Sequence, residues 1–130
     1  MTAIGPVEAA IRAHLREGQQ LGTPSRGAPF VVSRIDRAAV TLLLGEKRTA
    51  TPLPWSCWEG IPKFLDGKGW VDIGMRYSVD ADPTTLDGYL KAYMKRATAG
   101  WVAVVLETAR VIEIDRGLPA RVRLLGTASS

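Results

Sequence analysis

Cysteine and histidine are almost absent from this chain: Cys57 and His14 stand alone in 130 residues. A lone cysteine excludes an internal disulfide and fits a reducing cytoplasm. His14 lies on the apolar side of a predicted helix, with no cysteine or second histidine at ligand spacing. The chain is therefore expected to hold no zinc, and no other cofactor is indicated. Cys57 sits among tryptophans with no histidine nearby in sequence, so an activated thiolate is not expected. Long hydrophobic runs are missing too. No stretch approaches the roughly 20 apolar residues that cross a bilayer, and no membrane partner is expected. The opening MTAIGPVEAAIRAHLREG has neither a basic n-region nor a long apolar run, so it does not read as a signal peptide. There is no internal repeat or low-complexity tract. The glycines of GEKR and DGKGW form neither a phosphate loop nor a dinucleotide fingerprint. Glu113 and Asp115 share a strand face, but no third acid is fixed beside them, as metal-dependent phosphodiester cleavage requires. The expectation is a protein that is not an enzyme.

What remains is an ordinary globular composition with a basic lean. The hydrophobic fraction is 46% and the charged fraction 23%, enough to bury a continuous core and to keep disorder to the ends. Net charge is +4 and the pI about 9.6. Such a balance leans toward polyanions, because neutralising phosphates releases counterions, although a mildly basic surface with no polyanion partner has the same composition.

Periodicity divides the chain into a mixed set of elements. Val7, Ala10, Ile11, His14 and Leu15 recur at helical spacing between Pro6 and Glu17, and Gly18 stops that helix. Gly22, Pro24, Ser25, Gly27 and Pro29 mark a loop. Phe30–Ile35 and Ala39–Gly45 read as strands joined at Asp36-Arg37, and Lys47–Leu53 as a third. Trp55, Trp58, Ile61, Phe64 and Leu65 then give a helix that Pro62 kinks or shortens. Trp70–Ile73 is a brief strand. Thr84 and Thr85 offer hydroxyl caps to a helix with the stripe Leu86, Tyr89, Leu90, Tyr93, Met94. Thr98 can cap a second helix that turns Val102, Val105, Leu106 and Ala109 inward and leaves Trp101, Val104 and Thr108 outward. Val111–Asp115 and Ala120–Leu125 alternate at period two around Arg116-Gly117-Leu118-Pro119, a turn by composition.

From Trp55 onward the order is helix, strand, helix, helix, strand, turn, strand. It resembles the winged helix-turn-helix family in order and spacing, over about residues 55–125, without a diagnostic motif. The expected fold is therefore α+β: a winged-helix-like C-terminal part with an added N-terminal helix and β-hairpin. It is expected as a single domain over 1–126 (1–53 the N-terminal helix and small sheet, 54–126 the winged-helix-like part), with 127–130 a flexible tail.

The resemblance implies DNA binding, and double-stranded DNA is the favoured partner. In that family the second helix of the pair enters the major groove. Here the assignment falls on the helix starting near Thr98, with Thr98 and Trp101 nearest the groove. Lys91, Lys95, Arg96, Arg116, Arg121 and Arg123 would contact phosphates on either side. Six such contacts imply a log–log salt slope of about −5. A small cytoplasmic transcriptional regulator, or a reader of modified or foreign DNA, is the implied use.

Other readings stand beside this one. The six cations are also what solvated faces carry, with Asp87, Glu113 and Asp115 available to pair with them locally. The second helix has no Arg, Lys, Asn or Gln in its first two turns, the residue types that usually read base edges. Its apolar face around Trp101 and Val104 suits a homodimer or another protein partner instead. Trp101 also fits burial beneath the N-terminal hairpin. Trp55, Trp58 and Trp70 invite a stacking platform for single strands, but their helical spacing and apolar neighbours point to the core.

Overall fold

The computed structural model describes residues 5–24, 27–45, 47–74, 84–92, 98–117 and 120–125. The Tyr93, Met94, Lys95 and Arg96 assignments, Leu118 and Pro119 of the turn before Ala120, and the 127–130 tail lie outside the described residues. The first helix, α1 (Pro6–His14), starts with Pro6 in its first turn and turns Val7 and Ile11 inward. Its own N-cap residue, Gly5, offers no side chain. The cap comes from Glu59, whose Oε1 accepts from Val7 N at 3.1 Å and whose Oε2 accepts from Glu8 N at 2.8 Å. A carboxylate there satisfies two orphan amides and meets the positive end of the helix. A Cβ at Gly5 would meet the Glu59 carboxylate, which would have to move off the helix start and give up its cap. Glu59→Ala is expected to lower stability by about 1–2 kcal/mol, the cost of a lost cap. Urea denaturation measures it, and Glu59→Gln, which keeps one acceptor, should recover part of the loss.

Four antiparallel strands follow in sequence order: β1 (Gln19–Gly22), β2 (Pro29–Ile35), β3 (Ala39–Leu44) and β4 (Thr49–Pro54). The stretch from Gln19 to Gly22, expected to begin a loop, is a strand paired Gln19↔Val32 to Gly22↔Pro29. Gln-Gln-Leu-Gly carries no alternation of its own; the partner strand supplies the ladder. Phe30, Val32, Val40, Leu42 and Leu53 point into the core. Asp36 closes the β2–β3 turn, its Oδ1 accepting from Ala38 N and Ala39 N, and these amides hold its carboxyl below the usual carboxylate range. The carbonyl of Asp36 accepts from Trp55 Nε1 at 2.8 Å and from Arg12 at 3.1 Å, tying both flanking helices to the turn.

The next helix, α2 (Trp55–Leu65), runs on for three residues beyond Pro62 and turns Cys57, Trp58, Ile61 and Leu65 inward. Then come β5 (Val71–Asp72), α3 (Leu86–Lys91), α4 (Ala99–Thr108), β6 (Ile112–Asp115) and β7 (Arg121–Leu124). The last three strands form a second antiparallel sheet in the order β5-β7-β6. Thr85 caps α3, its hydroxyl accepting from Gly88 N, as its position before the apolar stripe predicts. None of the described helices is long and apolar enough to cross a membrane.

The centre of the molecule is α4. Its sequence AGWVAVVLET is apolar nearly all round, and a helix with no polar face is stable only inside a core. Accordingly Ala99, Gly100 and every residue from Val102 to Leu106 are buried, and α4 packs on β6, α1, β1 and α3. Its contacts join the two sheets through one apolar cluster running from Val7 to Val122.

Candidate functional site

The register of the second sheet divides its residues into two faces. Val71↔Val122↔Ile114 form one row, and Val71, Val122 and Ile112 are buried against α4 and its neighbours. The alternate positions face solvent. Asp72, Arg121 and Asp115 lie in one outward row, and Arg123 faces Glu113 in the next. Trp70, one residue before Val71, continues that second row. Its ring lies against both arginines, with the guanidinium carbon of Arg123 at 4.5 Å from the ring centroid and that of Arg121 at 5.7 Å. Trp70 is 37% exposed and is the one large hydrophobic side chain left exposed among the described residues. An open groove of about 470 Å³ runs beside it, lined by Lys68, Trp70, Val71, Asp72 and Thr84.

Charge on this face is balanced. Arg121 donates to Asp115 Oδ2 at 2.7 Å, and Arg123 pairs with Glu113. Hydrogen bonds from Arg121 and from the Gly117 amide hold the Asp115 carboxyl below its ordinary range. Beyond the hairpin, Arg116 binds Glu107 through two hydrogen bonds of 2.7 Å, which raises the arginine's already high pKa. The remaining described cation of the six predicted from sequence, Lys91, bonds Asp87 at 3.0 Å. Asp87, Glu113 and Asp115, the acids that the sequence made available for local pairing, are thus engaged with Lys91, Arg123 and Arg121.

The two residues expected nearest a DNA groove lie elsewhere. Thr98 has no exposed surface, and its hydroxyl is buried with no hydrogen-bond partner and makes no cap. Trp101 is half-buried and packs against the core. Val104, expected to face outward, is 5% exposed. Apart from the half-buried Trp101, the start of α4 is therefore enclosed, and α1, β1, α3 and β6 all pack on this helix. Of the apolar face expected to serve a dimer, Val104 is buried in the core and Trp101 is half-buried. The four described cations do not gather around the start of α4: Arg121 and Arg123 come together on the outer sheet face, Arg116 ties the hairpin to the end of α4, and Lys91 pairs within α3; Lys95 and Arg96 lie outside the described residues.

Trp55 and Trp58 are buried, as their helical spacing predicted, and Trp58 donates its indole N–H to the Leu53 carbonyl at 3.0 Å. Trp70 does not follow them. The signal that separates it is local: Trp70-Val71-Asp72-Ile73 alternates at period two, so Trp70 shares the side of Asp72 and not that of Val71. Burial pushes the Cys57 thiol up to about 12, leaving almost no thiolate at neutral pH. Among the described residues no three His, Cys, Asp or Glu side chains converge as a metal site would require. No protein-family model, curated protein or solved structure matches this chain.

Proposed function

We propose that this protein is a non-enzymatic nucleic-acid-binding module of winged-helix-like order, and that its binding surface is the outer face of β5-β7-β6. The observation that carries the proposal is Trp70, exposed on a strand face with two guanidinium groups against its ring. A flat aromatic beside arginines offers a stacking surface for bases together with donors for phosphates. The element order α2-β5-α3-α4-β6-β7 and the sheet order β5-β7-β6 support the winged-helix likeness. Insertion of α4 into a major groove is not part of the proposal, since its start is enclosed apart from the half-buried Trp101. Transcriptional control and the sensing of modified or foreign DNA remain the uses such a module would suit, in the reducing cytoplasm that a free cysteine fits.

The ion pairs on this face do not forbid phosphate contact. An exposed guanidinium–carboxylate pair is worth only about 0–1 kcal/mol, so a phosphate can displace the carboxylate. They do reduce the expected number of contacts to about three: Arg121, Arg123 and Lys68. Anisotropy of a labelled oligonucleotide across a salt series should give a log–log slope of about −2 to −3, well short of −5. The double substitution Arg121→Ala/Arg123→Ala should flatten it to about −1. No binding at low salt, or a slope unchanged by that double substitution, would remove the proposal.

A second function is favoured by one observation, the balance of charge. Three carboxylates (Asp72, Glu113, Asp115) face two guanidiniums (Arg121, Arg123) on the sheet, and tryptophan and arginine are the side chains that most often anchor protein interfaces. A protein-interaction surface predicts concentration-dependent association in sedimentation, broken by Trp70→Glu, with no retention of nucleic acid.

A further inference from the structure

We infer that the ligand of the Trp70 face is a single strand, held by an unpaired base stacked on the indole. This rests on the nucleic-acid function proposed above and narrows its substrate class. Three features point the same way. First, Trp70 presents a ring at the edge of an open groove. Bases inside a duplex have both π-faces taken by their neighbours, whereas a single strand can offer one to each aromatic it meets.

Second, the element that would read a duplex is withdrawn. At the start of α4, Thr98 and Ala99 have no measurable exposure and Gly100 is buried. Among the described residues the sheet face lies outside, with Arg121 and Arg123 two residues apart on one strand and so with their Cα atoms roughly 7 Å apart. That spacing lets one extended backbone run along β7 and meet both guanidiniums while a base lies over Trp70.

Third, the face carries Asp72, Glu113 and Asp115 among its arginines. Their repulsion grows with the charge density of the approaching polyanion. Duplex DNA carries one charge per ~1.7 Å of axis, about twice the density of either strand alone. On a face with balanced charge that repulsion offsets the attraction of the arginines, so the duplex gains little from its higher charge density and stacking is left to supply the affinity.

The test compares one mixed-sequence labelled oligonucleotide with the same strand annealed to its complement, at fixed low salt. The wild-type protein should bind the single strand at least ~10-fold more tightly and lose about 5- to 100-fold of that affinity in Trp70→Ala, the range for one base–aromatic stack. Trp70→Phe keeps a ring and should bind within a few-fold of wild type. It removes the exposed fluorophore, so the quenching that accompanies wild-type binding should vanish while anisotropy still reports the complex. Circular dichroism confirms that each variant is folded. Equal or tighter duplex binding, or indifference to Trp70→Ala, overturns the single-strand inference and leaves nucleic-acid binding standing. Failure of both oligonucleotides to bind overturns the function and the inference together.

Discussion

Val104→Asp should unfold the protein or lower its stability by about 4 kcal/mol or more. Val104 is 5% exposed, in the middle of a helix whose neighbours Val102, Ala103, Val105 and Leu106 are wholly buried. The nearest described polar groups on α4 are already engaged: Thr108 donates back to the Val104 carbonyl, and Glu107 binds Arg116. A new carboxylate would therefore be buried without a partner, one of the few mechanisms that reach such magnitudes. In urea, where the slope for a small domain is roughly 1–3 kcal/mol per molar, the midpoint should fall by about 2 M. The outcome discriminates two pictures of α4. A recognition helix exposed to DNA would accept an acid at Val104 with little loss of stability and would lose affinity instead. A native-like midpoint for this variant would mean that α4 is not the centre of the core.

The position of α4 also shows where sequence periodicity stops being informative. Elements with one polar face were legible: Leu86 and Leu90 are buried in α3 as their stripe requires, Thr85 caps it, and the Asp36 turn joins β2 to β3. In α4 the apolar residues are nearly continuous, so a period can be fitted but the side it leaves outward is narrow and only half-exposed. Of the three residues assigned outward, Trp101 and Thr108 are half-buried and Val104 is buried. The missing information was tertiary, namely that α1 and β1 would lie across this helix. Strand β1 was invisible for a related reason, since its pairing with β2 comes from the partner and not from its own sequence.

The charges were half legible. That Asp87, Glu113 and Asp115 stood ready to pair with Lys91, Arg123 and Arg121 was visible from spacing, one turn apart on a helix or facing across a hairpin. Which of the two competing fates the cations met, a shared patch or local pairing, depended on geometry. Local pairing won for Lys91 and Arg116, while Arg121 and Arg123 combine it with a shared site beside Trp70.

The tryptophans give the second large effect, read as a contrast. Trp58→Ala is expected to cost about 3–5 kcal/mol. The side chain has no exposed surface, contributes the largest fully buried volume in the core, and its indole N–H satisfies the Leu53 carbonyl at the end of β4. Removing it leaves a cavity and takes a buried hydrogen bond from the Leu53 carbonyl. Trp58→Phe, which fills most of the space but drops the donor, should lie between, at about 1–3 kcal/mol. Trp70→Ala should change stability by less than about 1 kcal/mol, because its ring is partly exposed and meets the guanidiniums of Arg121 and Arg123 on the outer sheet face. Thermal or urea unfolding of the three variants side by side decides the matter. A large cost at Trp70 would mean that the ring is held for the sake of the fold, and its exposure would then say nothing about a ligand. A small cost there, beside a large one at Trp58, separates the tryptophan that builds the core from the one that the fold leaves free to bind.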